Sequence, residues 1–229
     1  MTLLRQLVAE FVGTAFLVAA VIGSGIMAAR LSDDVGLQLL ENSIATGAVL
    51  AALILALHPV SAAFNPVVSL VEVVLGRVPV GNGALMILAQ LAGGVLGAVT
   101  ANLMFGLDAV TVSTHDRSGG GLWLGEVVAT LGLVLVILGT ARSARPQTVA
   151  LAVGGYIAAA YWFTSSTSFA NPAVTVARTL SDTFAGIAPD SVPMFVLMQL
   201  VGGAVGLLLA RVLYADLSPA PTSAEGAHA

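Results

Sequence analysis

Cysteine and lysine are both absent from this chain, and charge of either sign is scarce. Without cysteine there are no disulfides, no thiolate metal sites and no cysteine nucleophile. Without lysine, the side-chain cations are eight dispersed arginines, and no basic cluster exists to hold nucleic acid. Charged residues make up 9% of the 229, whereas soluble domains carry about 25%. So little charge cannot cover a globular surface in water. His58, His115 and His228 are too dispersed in sequence to suggest a metal cluster. Ser165, Ser166 and Ser168 have no base nearby in sequence, so a serine nucleophile is a poor expectation. No catalytic residue, metal site or cofactor is expected, and the chain does not read as an enzyme.

What is present is apolar. Hydrophobic residues make up 58% of the chain and its mean hydropathy is +1.00. The expected solvent is therefore the lipid bilayer. About 20 mainly apolar residues cross a hydrocarbon core, and six stretches qualify: 6–30, 38–58, 82–105, 121–141, 147–164 and 192–214. The start, Met1 to Gln6, leads straight into the first of them and is read as part of a retained helix. Two intervals, 59–81 and 165–191, are too apolar for solvent loops and too short to span with both flanks. Each holds one Asn-Pro motif followed by about ten helix-compatible residues, the pattern of a re-entrant half-helix.

An internal repeat is visible. The run from Gln90 to Gly97 matches that from Gln199 to Gly206, Glu10 has a counterpart in Glu126, and Asn65 has one in Asn171, at offsets of 109, 116 and 106. Each half carries three spans, an odd number, so the second half enters the membrane upside down. The expected fold is an all-α membrane protein with six transmembrane helices and two re-entrant half-helices in an inverted repeat, its functional site near the midplane. Residues 1–105 form the first repeat, 106–120 an extracellular connection, 121–214 the second repeat, and 215–229 a disordered cytoplasmic tail. Arg5, Arg77, Arg142, Arg145 and Arg211 fall on the side of the termini, against Arg30, Arg117 and Arg178 opposite. That asymmetry puts both termini in the cytoplasm.

Asn is a preferred helix N-cap and Pro is favoured at the first helical position. Asn65-Pro66-Val67 and Asn171-Pro172-Ala173 therefore read as two helix starts that meet mid-membrane from opposite faces. Their positive dipole ends point at one spot. Cations are repelled there, while the two asparagine amides donate to a passing neutral oxygen.

These features together resemble the aquaporin and glycerol-facilitator (major intrinsic protein) family over residues 5–214. The resemblance is carried by Ala9-Glu10-Phe11-Val12-Gly13-Thr14, the two Asn-Pro motifs, Gln90 and Gln199 with their glycines, and Glu126. It implies passive conduction of small neutral solutes and assembly as a homotetramer. Glu10 and Glu126 are ionisable groups inside spans; the resemblance gives them the role of orienting the re-entrant loops.

The chain departs from the family in two places. Val67 stands where the first motif normally has Ala. Val174 stands where the narrow filter normally has Arg, and the nearest arginine, Arg178, lies one turn further on, its head within reach of the outer vestibule. The other filter positions fall on Ala45 or Thr46, with Thr46 preferred because Gly47 then matches a common family glycine, on Ala159 or Ala160, and on Ser168 or Phe169. The expected filter is thus Thr46, Ala159, Ser168 and Val174, wider and less charged than a strict water filter. Val174 and the run Phe163-Thr164-Ser165-Ser166-Thr167-Ser168-Phe169-Ala170 resemble a bacterial branch associated with arsenic-resistance operons. That likeness implies a bacterial inner membrane and passage of uncharged trivalent metalloid hydroxides such as arsenite, alongside glycerol and water. The alternatives are an ordinary water or glycerol pore and a proton-coupled secondary transporter, for which Glu10 and Glu126 are the candidate carriers in the spans. Tyr161, Trp162 and Phe163 read as an interfacial aromatic belt, and His58 as a hydrogen-bonded loop residue.

Overall fold

A computed structural model describes residues 2–142 and 145–214; the tail 215–229, expected to be disordered, lies outside the described residues. No strand occurs among the described residues. Eight helices run in the order α1 (Leu3–Leu31), α2 (Val35–Leu57), α3 (Pro66–Val74), α4 (Val80–Met104), α5 (Gly120–Ala141), α6 (Pro146–Phe163), α7 (Pro172–Ala177) and α8 (Val192–Leu213). Each long helix starts and stops within about three residues of the boundaries drawn from hydropathy. Five of them, α1, α2, α4, α5 and α8 with the turn before it, are long and apolar enough to cross a membrane. With 18 residues, α6 is about 27 Å long at 1.5 Å per residue, close to the ~30 Å of a hydrocarbon core.

Packing follows the repeat. α1 lies along α4 and α5 along α8, while α2 and α6 join the halves. In α4, Gln90, Gly93 and Gly97 share one face, as Gln199, Gly202 and Gly206 do in α8. A methyl group on Gly93 or Gly97 would run into the carbonyl oxygens of Phe11 and Ala15, and one on Gly202 or Gly206 would crowd those of Val127 and Leu131. The backbones therefore touch, which suits helices that associate by van der Waals contact rather than by a hydrophobic effect. Between α2 and α6, Gly47 and Gly154 face each other in the same way.

The two short helices start as their sequences dictate. Asn65 caps α3 by accepting from the Val67 amide at 2.9 Å. Asn171 caps α7 by accepting from Ala173 at 3.0 Å and Val174 at 3.3 Å. Pro66 and Pro172 occupy the first turn, where no donor is missed. With nine residues, α3 is close to the expected ten, whereas α7 has six before a 3₁₀ turn, Arg178–Leu180.

Candidate functional site

The two asparagines clasp each other's loops. Asn65 Nδ2 donates to the Ala170 carbonyl and Asn171 Nδ2 to the Phe64 carbonyl, both at 2.7 Å. The accepting residues, Phe64 and Ala170, each have a φ of 48°, a left-handed conformation that costs about 1–3 kcal/mol in a non-glycine residue. That strain turns each carbonyl toward the opposite asparagine. Each amide has two donor hydrogens, so one remains on each side for a solute.

Glu10 and Glu126 hold the strained loops in place. Glu10, fully buried, accepts from Ser61 Oγ, the Ala63 amide at 2.9 Å, the Phe64 amide at 2.7 Å and Gln90 Nε2 at 2.7 Å. Glu126, also fully buried, accepts from the Phe169 and Ala170 amides, both at 2.9 Å, and from Gln199 Nε2 at 2.6 Å. The glutamines continue the pattern, Gln90 to Ser69 Oγ and Gln199 to Thr175 Oγ1, both at 2.8 Å. A buried carboxylate is tolerable when its lone pairs are filled by donors such as these.

A cavity of about 350 Å³ runs past both motifs. Its wall includes Gln6, His58 and Glu72 toward one end, Asn65 and Asn171 in the middle, and Tyr161, Phe169 and Arg178 toward the other. Two stripes at four-residue spacing line it, Thr46, Leu50, Ile54 and His58 on α2 and Val149, Val153, Ile157 and Tyr161 on α6. Thr46, Ser168 and Val174 all lie in the wall, and Phe169 lies there beside Ser168. Pro66, Val67, Pro172 and Ala173 are buried behind the asparagines. Among the described residues no three His, Asp or Glu side chains are grouped to hold a metal ion.

Ala159 requires a correction. It is exposed on the outer surface of α6 and is not in the cavity wall. It sits two residues from both Ile157 and Tyr161, which is about 200° around the helix axis and therefore on the opposite face. The wall position belongs to Tyr161, buried at 3% exposure, whose hydroxyl donates to Thr46 Oγ1 at 3.2 Å. The belt reading thus fails for Tyr161, while Trp162 and Phe163 are exposed. Tyr161 continues the four-residue spacing of Val149, Val153 and Ile157 along the cavity side of α6.

Val67 makes no use of the cavity. Its side chain fills the space opened by Gly203 on α8 and packs with Val71, Val134 and Leu207. The extra bulk relative to Ala is therefore accommodated behind the motif.

The end of the cavity beyond the Asn171 motif carries charge that the expected filter lacked. Arg178 is 2% exposed, its Nε donates to the Ala185 carbonyl, and its guanidinium carbon lies 3.4 Å from the centre of the Phe169 ring. Arg117, from the connecting loop, approaches the same ring at 5.0 Å and donates to the Gly186 carbonyl at 2.8 Å. Burial lowers the Arg117 pKa to about 10, which leaves it charged at neutral pH. Beside it, burial and then the Arg117 and Arg178 charges push His115 below its ordinary value. Asp116 is held low by hydrogen bonds from Ser118 and Ser191.

An apolar helical bundle enclosing a cavity that passes between two half-helix starts defines a membrane channel. The chain belongs to the major intrinsic protein family, whose sequence profile matches residues 1–159; members of this family are channels rather than enzymes. Aquaglyceroporin AqpS of Rhizobium meliloti (strain 1021) is 49% identical over 218 residues, covering 95% of this chain and 93% of that protein. Aquaporin Z of Photorhabdus laumondii is 32% identical over 235 residues, covering 93% of this chain and 99% of that protein. The X-ray structure of the aquaglyceroporin from Plasmodium falciparum matches with a TM-score of 0.72 at 20% identity, covering 94% of this chain and 97% of that one. At that identity the likeness is one of fold.

Proposed function

We propose that the chain conducts small neutral solutes passively: water, glycerol and, as its distinctive cargo, uncharged trivalent metalloid hydroxides such as arsenite. The observation that carries this reading is Val174. A short apolar side chain stands in the cavity wall where the family's filter normally has Arg, and Thr46 and Ser168 nearby are small as well. A wall of this kind leaves room for a solute larger than water, and the two asparagine amides supply donors to its oxygens. Kinship with a protein named an aquaglyceroporin supports the glycerol part. Two observations favour the ordinary water or glycerol pore, namely the Arg178 guanidinium and the Tyr161 ring in the same wall.

The wider setting is a bacterial inner membrane, with both termini cytoplasmic and four copies assembled together. Within the chain, residues 1–105 and 121–214 act as the two inverted repeats, joined by an extracellular loop at 106–120. The arginine asymmetry supports the orientation, and the large exposed side chains along the helices, among them Phe16, Leu88 and Leu208, suit a surface facing lipid or another copy.

Stopped-flow light scattering on reconstituted vesicles tests the channel. Flux linear with the gradient and indifferent to a proton ionophore is expected; saturable uptake abolished by the ionophore would overturn it in favour of a coupled transporter. Arsenite entry, followed by elemental analysis with arsenate as the charged control, decides the metalloid part. Val174→Arg should reduce glycerol and arsenite passage more than water, and an equal loss of all three would refute the assignment of Val174 to the filter.

A further inference from the structure

We infer that Glu72 is a hydrogen-bond acceptor for neutral hydroxylated solutes, receiving them at the end of the conduit that it shares with Gln6 and His58. This rests on the channel reading above.

Glu72 stands at an unfavourable place for a carboxylate. It is the third residue from the end of α3, where the helix dipole presents its negative pole. Its side chain is not needed to close the helix. The Arg77 amide donates to the Glu72 carbonyl and the Gly76 amide to the Val73 carbonyl, both at 2.9 Å. Gly76 takes a φ of 71°, and together these make a backbone cap complete in itself. Val73 fixes the same turn to α4, because its Cγ2 fills the space that a methyl group on Gly83 would need. The local fold thus has no use for the carboxylate.

The conduit does. Glu72 lies in the cavity wall. Its Oε1 accepts from Arg77 Nη1 at 3.0 Å, while its Oε2 accepts no hydrogen bond among the described residues. The Glu72 side chain keeps 25% of its surface exposed, so a solute can reach the free oxygen. Donors and acceptors along the wall are otherwise unbalanced. Asn65 and Asn171 offer N–H groups to a solute's oxygens, yet each solute hydroxyl also has a hydrogen to place. Leu50, Ile54, Val149 and Val153 in the same wall cannot take it. A carboxylate oxygen takes it in a stronger bond than a neutral acceptor makes. It stands in for water as the solute is stripped for entry, and so lowers the entry barrier most for molecules with several hydroxyls. Arg77 balances the charge, so the station favours neutral solutes over cations.

The test uses full-length protein in vesicles, with glycerol and water permeabilities measured side by side. Glu72→Ala should lower the glycerol-to-water ratio about fivefold, the effect of one lost hydrogen bond. Glu72→Gln keeps the size, turns its one oxygen toward Arg77, and should lower the ratio in the same direction. Arg77→Gln breaks the same ion pair but leaves the carboxylate, and should hold the ratio within about twofold, since a partly exposed pair contributes little by itself. An unchanged ratio in the Glu72 variants would overturn the station. An equal fall in Arg77→Gln would also overturn it, because the pair would then act only by shaping the end of α3. Glu72→Gln decides the matter if Glu72→Ala does not fold. Failure of the channel reading is distinct, because it would appear in the wild type as ionophore-sensitive uptake.

Discussion

Gly203 and Val67 are so close that a methyl group on the glycine would meet Val67 Cγ1 directly. Gly203→Ala should therefore destabilise the protein by about 1–3 kcal/mol, the usual cost of overfilling a packed core. The double variant with Val67→Ala should recover most of that loss, because it removes the atom in the way. Thermal unfolding of the detergent-solubilised protein measures both; a double variant no more stable than Gly203→Ala would show that the pair is not coupled. The same scale explains what the sequence hid. Neither Gly203 nor Val67 carries a local signal of the other, since they lie on different elements far apart in the chain. The place of Tyr161 is hidden for a different reason. In a helix apolar on nearly every face, periodicity gives little sign of which side meets the cavity. The sequence places Arg178 one turn from the filter, but its position in the wall depends on Phe169 and Ala185, which the fold brings to it.

The elements themselves were legible. Apolar runs fixed the long helices because lipid demands about 20 such residues, and Asn-Pro fixed the starts of α3 and α7 because its capping chemistry is local. Their strained approach was not legible, since the left-handed turns at Phe64 and Ala170 arise from the opposing loop. Glu10 holds one of these loops through four donors shared between its two oxygens. Glu10→Gln keeps the shape but sets a donor against donors, and should cost roughly 3 kcal/mol or more together with most of the solute flux. If the carboxylate serves only to hold the loop, wild-type flux should stay flat between pH 5 and 8. A flux that follows proton uptake in that range, and becomes flat in Glu10→Gln, would instead make Glu10 part of a coupled pathway.

At the scale of the molecule, the two ends of the conduit are unlike in their charged residues. One end carries Gln6, His58 and Glu72, the last paired with Arg77 at 3.0 Å, while the other carries Arg178. Which end faces the cytoplasm decides from which side a solute meets Arg178 first. The complete lack of cysteine makes this directly measurable, because any introduced thiol is the one thiol in the chain. Ser118 lies in the exposed loop before α5, and Val80, 76% exposed, begins α4. In an up-and-down bundle these positions fall on opposite sides, since α4 alone separates them. With the termini in the cytoplasm, Ser118→Cys should react with a membrane-impermeant maleimide in spheroplasts stripped of their outer membrane. Val80→Cys should react only after the inner membrane is opened. The reverse pattern would invert the chain and put Arg178 on the cytoplasmic side.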